Sequence, residues 1–206
     1  MILTDSEILK GIEAGDIVIS PFDPLNLGSN SYDVHLSDKC KVYTRNDKTG
    51  IYLDAKEDNP TVDISPDGGK FYLGPNKVYL MSTIEYTETH KHVPFLEGKS
   101  STGRLGVSIH ATAGKGDVGF CGHWTLEITV AQEIILYVGM PIGQLIYFET
   151  KGDCINPYNK KKTAKYNKQG IEPVSSQMWK NFENKEKKSK ILDELTEDGQ
   201  KLKLDY

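Results

Sequence analysis

Along much of this chain apolar and polar residues alternate one by one. Tyr32, Val34 and Leu36 are apolar, and Ser31, Asp33 and His35 between them are polar, the period of a strand with one buried face. Short runs rich in Val, Ile, Tyr and Thr recur at residues 16–20, 39–43, 69–73, 77–85, 105–111, 123–130, 133–136 and 144–149, cut by Gly, Pro, Asn and Asp. Pro75-Asn76 and Gly139-Met140-Pro141 read as turns, because Pro fixes its own backbone and Gly opens conformations closed to other residues. Many short strands joined by turns predict a mainly β, mostly antiparallel fold, a sandwich or a distorted barrel. The exception stands at the start. Thr4-Asp5-Ser6-Glu7 has the form of a capping box, with Ile8, Leu9 and Ile12 on one side of a short helix and Gly15 as its stop.

After Asn156 the pattern changes to Lys, Asn, Gln and Ser, and residues 180–206 are dominated by charge, with Ile191, Leu192 and Leu195 as a thin apolar stripe. The expected organisation is one domain over residues 1–179 and a charged tail, 180–206, that docks as a helix or stays partly mobile. A chain of 206 residues with 37% hydrophobic residues holds enough apolar material for one core. The formal net charge of -4 argues against a broad nucleic-acid surface, which needs an excess of Lys and Arg, but leaves room for a local basic pocket. No apolar run approaches the roughly 20 residues of a membrane span, and Met1-Ile2-Leu3-Thr4-Asp5 lacks the features of a secretory signal. A soluble, cytoplasmic protein without membrane or nucleic-acid partners is expected. Cys40, Cys121 and Cys154 are too few and too widely spaced for a disulfide framework or a CxxC metal site, and His90-Lys91-His92 reads as a polar turn before Pro94.

Two loops and one carboxylate carry candidate chemistry. In Gly98-Lys99-Ser100-Ser101-Thr102-Gly103-Arg104 adjacent hydroxyls are bracketed by cations and relieved by glycines, so NH groups, OH groups and charge can converge on one anion. The same residues also build ordinary turns. In the loop from Ala113 to Gly122, glycines let a ligand approach the backbone, and Asp117 offers an acceptor for a sugar hydroxyl or a metal-bound water, or simply caps a turn. Glu127 lies between Leu126 and Ile128. A charge inside an apolar strand is costly, yet alternation alone puts Glu127 on the solvent face. A partly desolvated carboxylate there can take up and relay protons.

The ordered set of motifs resembles the dCTP deaminases, relatives of the trimeric dUTPases. It runs from Asn30-Ser31-Tyr32-Asp33-Val34 through Gly98 to Gly106, His110-Ala111-Thr112-Ala113-Gly114, Asp117-Val118-Gly119-Phe120, Thr125-Leu126-Glu127 and Gly143-Gln144-Leu145 to Pro157-Tyr158-Asn159 and Ala164-Lys165-Tyr166. The resemblance implies a dUTPase-type distorted barrel, jelly-roll-like, with a short N-terminal helix and a few peripheral helices. It implies a homotrimer with sites between subunits, and hydrolytic deamination of dCTP without zinc. Zinc-dependent nucleobase deaminases carry HxE and PCxxC signatures, which this sequence lacks. By the same resemblance Glu127 is the general base and proton shuttle, assisted by Ser100, Arg104 and the backbone around Ala113. Asp117 would hold the deoxyribose 3'-hydroxyl. Lys99, Ser101, Thr102, Gly103, Thr125, Leu126, Tyr158, Lys165 and Gln169 would complete the substrate site. Magnesium would arrive on the triphosphate, held by its oxygens, and dTTP would act as a feedback inhibitor.

Two positions depart from the family pattern. Lys99 stands where Arg is common, which exchanges a two-pronged phosphate contact for a point charge, and Lys115-Gly116 before Asp117 predicts a more flexible loop. The product stays open between dUTP and, in a two-step enzyme, dUMP with diphosphate, for which Gly114 would leave space for a second water. A pure dUTPase gives Glu127 no task. Ser100, Arg104, Asp117 and Glu127 together argue against a non-enzymatic nucleotide-binding trimer.

Overall fold

The computed structural model describes residues 1–183. They belong to two compact units, one of Met1–Tyr43 with Thr61–Val174 and one of Thr44–Pro60 with the segment from Ser175 onward. In the second unit, Asn46 and Gly50 close a tight turn by exchanging backbone hydrogen bonds of 2.9 and 2.8 Å, and the Lys56 ammonium lies over the Phe182 ring. Of the charged tail, only Lys180–Glu183 is described, as a single helical turn. The expected tail beyond it, with Ile191, Leu192 and Leu195, lies outside the described residues.

The first unit opens with helix α1 (Asp5–Glu13), followed by β1 (Ile17–Ser20), β2 (Tyr32–Tyr43), β3 (Thr61–Asp63), β4 (Lys70–Leu73), β5 (Tyr79–Thr89) and β6 (His92–Gly98). A short helix α2 (Ser100–Arg104) leads into β7 (Val107–Ser108), β8 (Cys121–Val130), β9 (Ile134–Tyr137) and β10 (Pro141–Glu149). Helix α1 starts at Thr4 as predicted, but the capping box does not close. Thr4 makes no cap bond, Asp5 takes the Ser6 N–H at 2.8 Å, and Glu7 pairs with Lys10 instead. Ile8 is buried, Ile12 packs on the core and Leu9 is exposed. Gly15, at φ +72°, ends the helix in the left-handed region that suits glycine.

Eight strands form one antiparallel sheet in the order β6-β10-β2-β5-β8-β7, with β1 added on β5 and β3 on β2, while β4 and β9 make a separate pair. The chain closes this sheet upon itself. After β7 it leaves the edge of β8 and pairs with the free edge of β6, where Leu96 N–H donates to Gly114 O at 2.8 Å and Gly116 N–H to Pro94 O at 2.8 Å. The result is the distorted barrel that the alternating pattern predicted, with Tyr32, Val34, Leu36, Met81, Leu96, Leu126, Ile128, Leu145 and Tyr147 filling it. Strand β6 escaped the sequence reading because Pro94 removes a ladder donor. The expected strand over 105–111 shrinks to two residues, since its start follows a helix and its end turns toward β6.

Gly116, expected to loosen the loop before Asp117, and Gly114, expected to leave space for a water, both lie in close contact with their neighbours. A Cβ on Gly116 would come within 2.8 Å of both Pro94 and Trp124, and one on Gly114 would strike the Leu96 carbonyl. Their missing side chains let this segment lie flat on β6, so the loop is held by ladder bonds. Gly114→Val is therefore expected to destabilise the fold by about 1–3 kcal/mol, the usual range for overpacking, and to lower activity by displacing residues 110–117. A melting curve beside a rate measurement checks this, and unchanged stability would refute the packing role.

Candidate functional site

Strand β8 sorts its side chains by alternation. Leu126 and Ile128 are fully buried, whereas His123, Thr125, Glu127 and Thr129 share the opposite, half-exposed face. Glu127 keeps 37% of its side chain accessible, so its charge is carried on the polar face and not in the core. Leu126, expected among the substrate contacts, points into the barrel and cannot touch a ligand on the Glu127 face with its side chain.

The register of the neighbouring chain builds the surroundings of Glu127. Its N–H donates to Ile109 O at 3.0 Å, which sets the next two residues beside the carboxylate. The Ala111 N–H reaches Oε2 at 3.3 Å and His110 Nδ1 lies 3.4 Å from the same oxygen. The backbone N–H that meets Glu127 is thus that of Ala111, two residues before Ala113. His110 is largely enclosed, at 13% accessibility, and its Nε2 is buried without a partner among the described residues. Sequence reasoning gave His110 no role, because its approach to Glu127 depends on a strand pairing between segments 17 residues apart.

The hydroxyl-rich turn forms helix α2, and its side chains divide. Ser100, Ser101 and Arg104 are exposed, and among the described residues none of the three has a side-chain partner. Thr102 is buried and donates its hydroxyl to Lys99 O at 2.8 Å, so it locks the helix and presents nothing to a ligand. Gly103 is exposed. Lys99 Nζ is bound to Asp33 Oδ2 at 2.5 Å. Helix α2 lies near Ala131, whose N–H bonds Gly106 O, four residues or about 13 Å along the strand from Glu127. Among the described residues, neither Ser100 nor Arg104 makes a side-chain bond to Glu127, whose partners are His110 and Ala111.

A third group surrounds Asp117. Lys115 Nζ donates to Oδ1 at 2.6 Å and Lys161 Nζ approaches Oδ2 at 3.6 Å. The Lys115 hydrogen bond holds the Asp117 carboxyl below the ordinary carboxylate range, against an opposing push from partial burial, with further help from the charges of Lys115 and Lys161. Tyr158 is placed here by its N–H, which donates to Val118 O at 2.7 Å. Gly119 makes the approach possible, since a Cβ there would come within 2.9 Å of Asn159. The rings of Phe120 and Tyr158 are 6.3 Å apart. Lys165 follows, half-buried in the loop beyond. Gln169 turns inward, its amide donating to Thr125 Oγ1 at 2.9 Å and His123 O at 3.2 Å. Those two donors are engaged on β8.

A family model described as dCTP deaminase-like matches residues 2–150. The chain belongs to the dCTP deaminase-like family. Two relatives named dCTP deaminase, dUMP-forming, are similar over nearly their whole length. The one from Clostridium beijerinckii is 46% identical over 186 residues, covering 89% of this chain and 99% of the relative. The one from Leptospira biflexa is 46% identical over 188 residues, covering 90% and 100%. The crystal structure of 2'-deoxycytidine 5'-triphosphate deaminase from Agrobacterium tumefaciens matches with a TM-score of 0.52 at 20% identity, over 71% of this chain and 47% of that one, which supports the fold.

For a dCTP deaminase-like chain the three groups have complementary chemistry. One holds a carboxylate with one lightly bound oxygen, one offers two hydroxyls and a guanidinium, and one offers an aromatic pair beside an acceptor. Among the described residues no group of three or more His, Cys, Asp or Glu gathers as a ligand set for a metal, and no helix is long and apolar enough to cross a membrane.

Proposed function

We propose that this chain deaminates dCTP and carries the product on to dUMP and diphosphate. The observation that carries this reading is the near-full-length likeness, at 46% identity, to relatives named dCTP deaminase, dUMP-forming. In the first step a water adds to C4 of cytosine while Glu127 takes its proton. Glu127 passes that proton to N3, then takes the proton of the new C4 hydroxyl and hands it to the amino group; C4=O forms as the C4–N bond breaks, and ammonia and dUTP result. Glu127 suits the task because its carboxylate is accessible and accepts only long bonds from Ala111 and His110, leaving lone pairs for water. In the second step another water attacks the triphosphate, releasing dUMP and diphosphate. The small Gly114 does not by itself argue for this step, since its space is filled by Leu96; the relatives do.

The remaining roles belong to the same proposal. Ser100 and Arg104 steady the attacking water and the charge that develops on it, with Ser101, Lys99, Lys165 and Tyr158 toward the triphosphate and Asp117 on the 3'-hydroxyl. Because Arg104, Ser100 and Ser101 have no side-chain partner among the described residues and make no bond to Glu127, the site is completed by a second copy in a homotrimer. Magnesium enters on the triphosphate oxygens, dTTP competes for the same pocket, and the enzyme works in the cytoplasm, where dCTP is available. Product analysis of the purified protein with dCTP and magnesium tests the reading. Direct appearance of dUMP and diphosphate is expected; accumulation of dUTP would restrict the enzyme to deamination, and unchanged dCTP would refute it.

A further inference from the structure

The pair formed by Asp33 and Lys99 bears on how tightly the proposed deaminase site holds a triphosphate, and its significance rests on that reading of the site. Lys99 is the N-cap of α2 and, with Arg104, one of the two cations of the anion-binding turn. Its ammonium does not join Ser100 or Ser101. It is bound to Asp33 across the sheet, in a pair whose side chains keep only 25% and 28% of their accessible surface. Asp33 comes from β2, where the register sets it beside Gln144 of β10, which in turn lies beside Glu97 of β6. The free protein thus cancels the charge of Lys99 and leaves Arg104, among the described residues, as the unpaired cation of the turn.

A triphosphate that reaches Ser100 and Ser101 recruits Lys99 by drawing its ammonium away from Asp33. Lysine suits this exchange. Its charge is compact, its four-carbon stem is flexible and its three donors can turn independently, whereas a guanidinium would be fixed to one carboxylate by a rigid fork. We infer that Asp33 sets the affinity of the site: it competes with the substrate triphosphate for Lys99 and holds binding weaker than the turn alone would allow.

The test measures calorimetric binding of dCTP with magnesium, and separately of inorganic tripolyphosphate, to full-length chains in the Glu127→Gln background. The set comprises the background itself, Asp33→Asn, Lys99→Met and the Asp33→Asn/Lys99→Met pair, each checked by its melting temperature. Asp33→Asn is expected to tighten both ligands about five-fold, the yield of removing a partly exposed ion pair, and to do nothing once Lys99 is Met. Equal or weaker binding in Asp33→Asn, or tightening that persists without Lys99, overturns the inference. If tripolyphosphate follows the expected pattern while dCTP binds no better than tripolyphosphate, the deaminase reading fails and the competition stands. Should Asp33→Asn fold poorly, the Lys99 side-chain resonances of the parent protein decide the matter: titrated tripolyphosphate is expected to shift them, and no shift at saturation overturns the inference.

Discussion

Glu127→Gln is expected to cut ammonia release from dCTP by about 10²- to 10⁴-fold, the range over which a positioned acid–base group contributes, while dCTP binding stays within a few-fold of the parent. The amide keeps the shape of the carboxylate and can still meet the Ala111 N–H through its oxygen, but it cannot accept the proton of the attacking water. The loss should therefore fall on kcat and spare the dissociation constant, as for a group used only in the chemical step. Hydrolysis of supplied dUTP is expected to survive, because breaking the phosphate link does not involve the base. A variant that still released ammonia at near-parental rate would remove Glu127 from the mechanism. Loss of assembly in the variant would make its inactivity uninformative, so its size in solution is measured alongside.

Mixing two inactive proteins is expected to restore activity. Gly106, two residues after Arg104, is bonded to Ala131, while Glu127 is bonded to Ile109, and among the described residues the guanidinium makes no bond to the carboxylate. If each site takes Glu127 from one subunit and Arg104 from the next, trimers assembled at random from Glu127→Gln and Arg104→Met chains carry both native residues at roughly a quarter of their sites. Co-refolded or co-expressed mixtures should recover roughly that fraction of parental deamination, against near zero for either protein alone. No recovery from mixed trimers would place both residues in the same subunit's site.

Much of the barrel was legible because burial follows the two-residue period wherever one face meets the core. Val34 and Leu36, or Leu126 and Ile128, are buried for the reason their spacing announced, and Glu127 faces out for the same reason. The capping box at Thr4 was legible and did not form: the Thr4 hydroxyl meets that of Ser6, and Lys10 takes the Glu7 carboxylate. Gly114 and Gly116 were read as freedom and proved to be contact, because a sequence does not show which backbone will lie against a glycine. Thr102 and Gln169 carry groups suited to a ligand, and each is taken by a nearer partner within the chain.

The sequence by itself determined the alternating strands, the family, and which residue types were available for proton transfer and phosphate binding, since these depend on local spacing and on the order of motifs. Tertiary structure alone decided which of those groups meet. The pairing of Ile109 with Glu127 brings His110 and Ala111 to the carboxylate, the crossing from β7 to β6 fixes the loop before Asp117, and Asp33 reaches Lys99 from a strand 66 residues away. Such contacts depend on the register and closure of the sheet, a property of the folded chain as a whole that no short stretch of residues encodes.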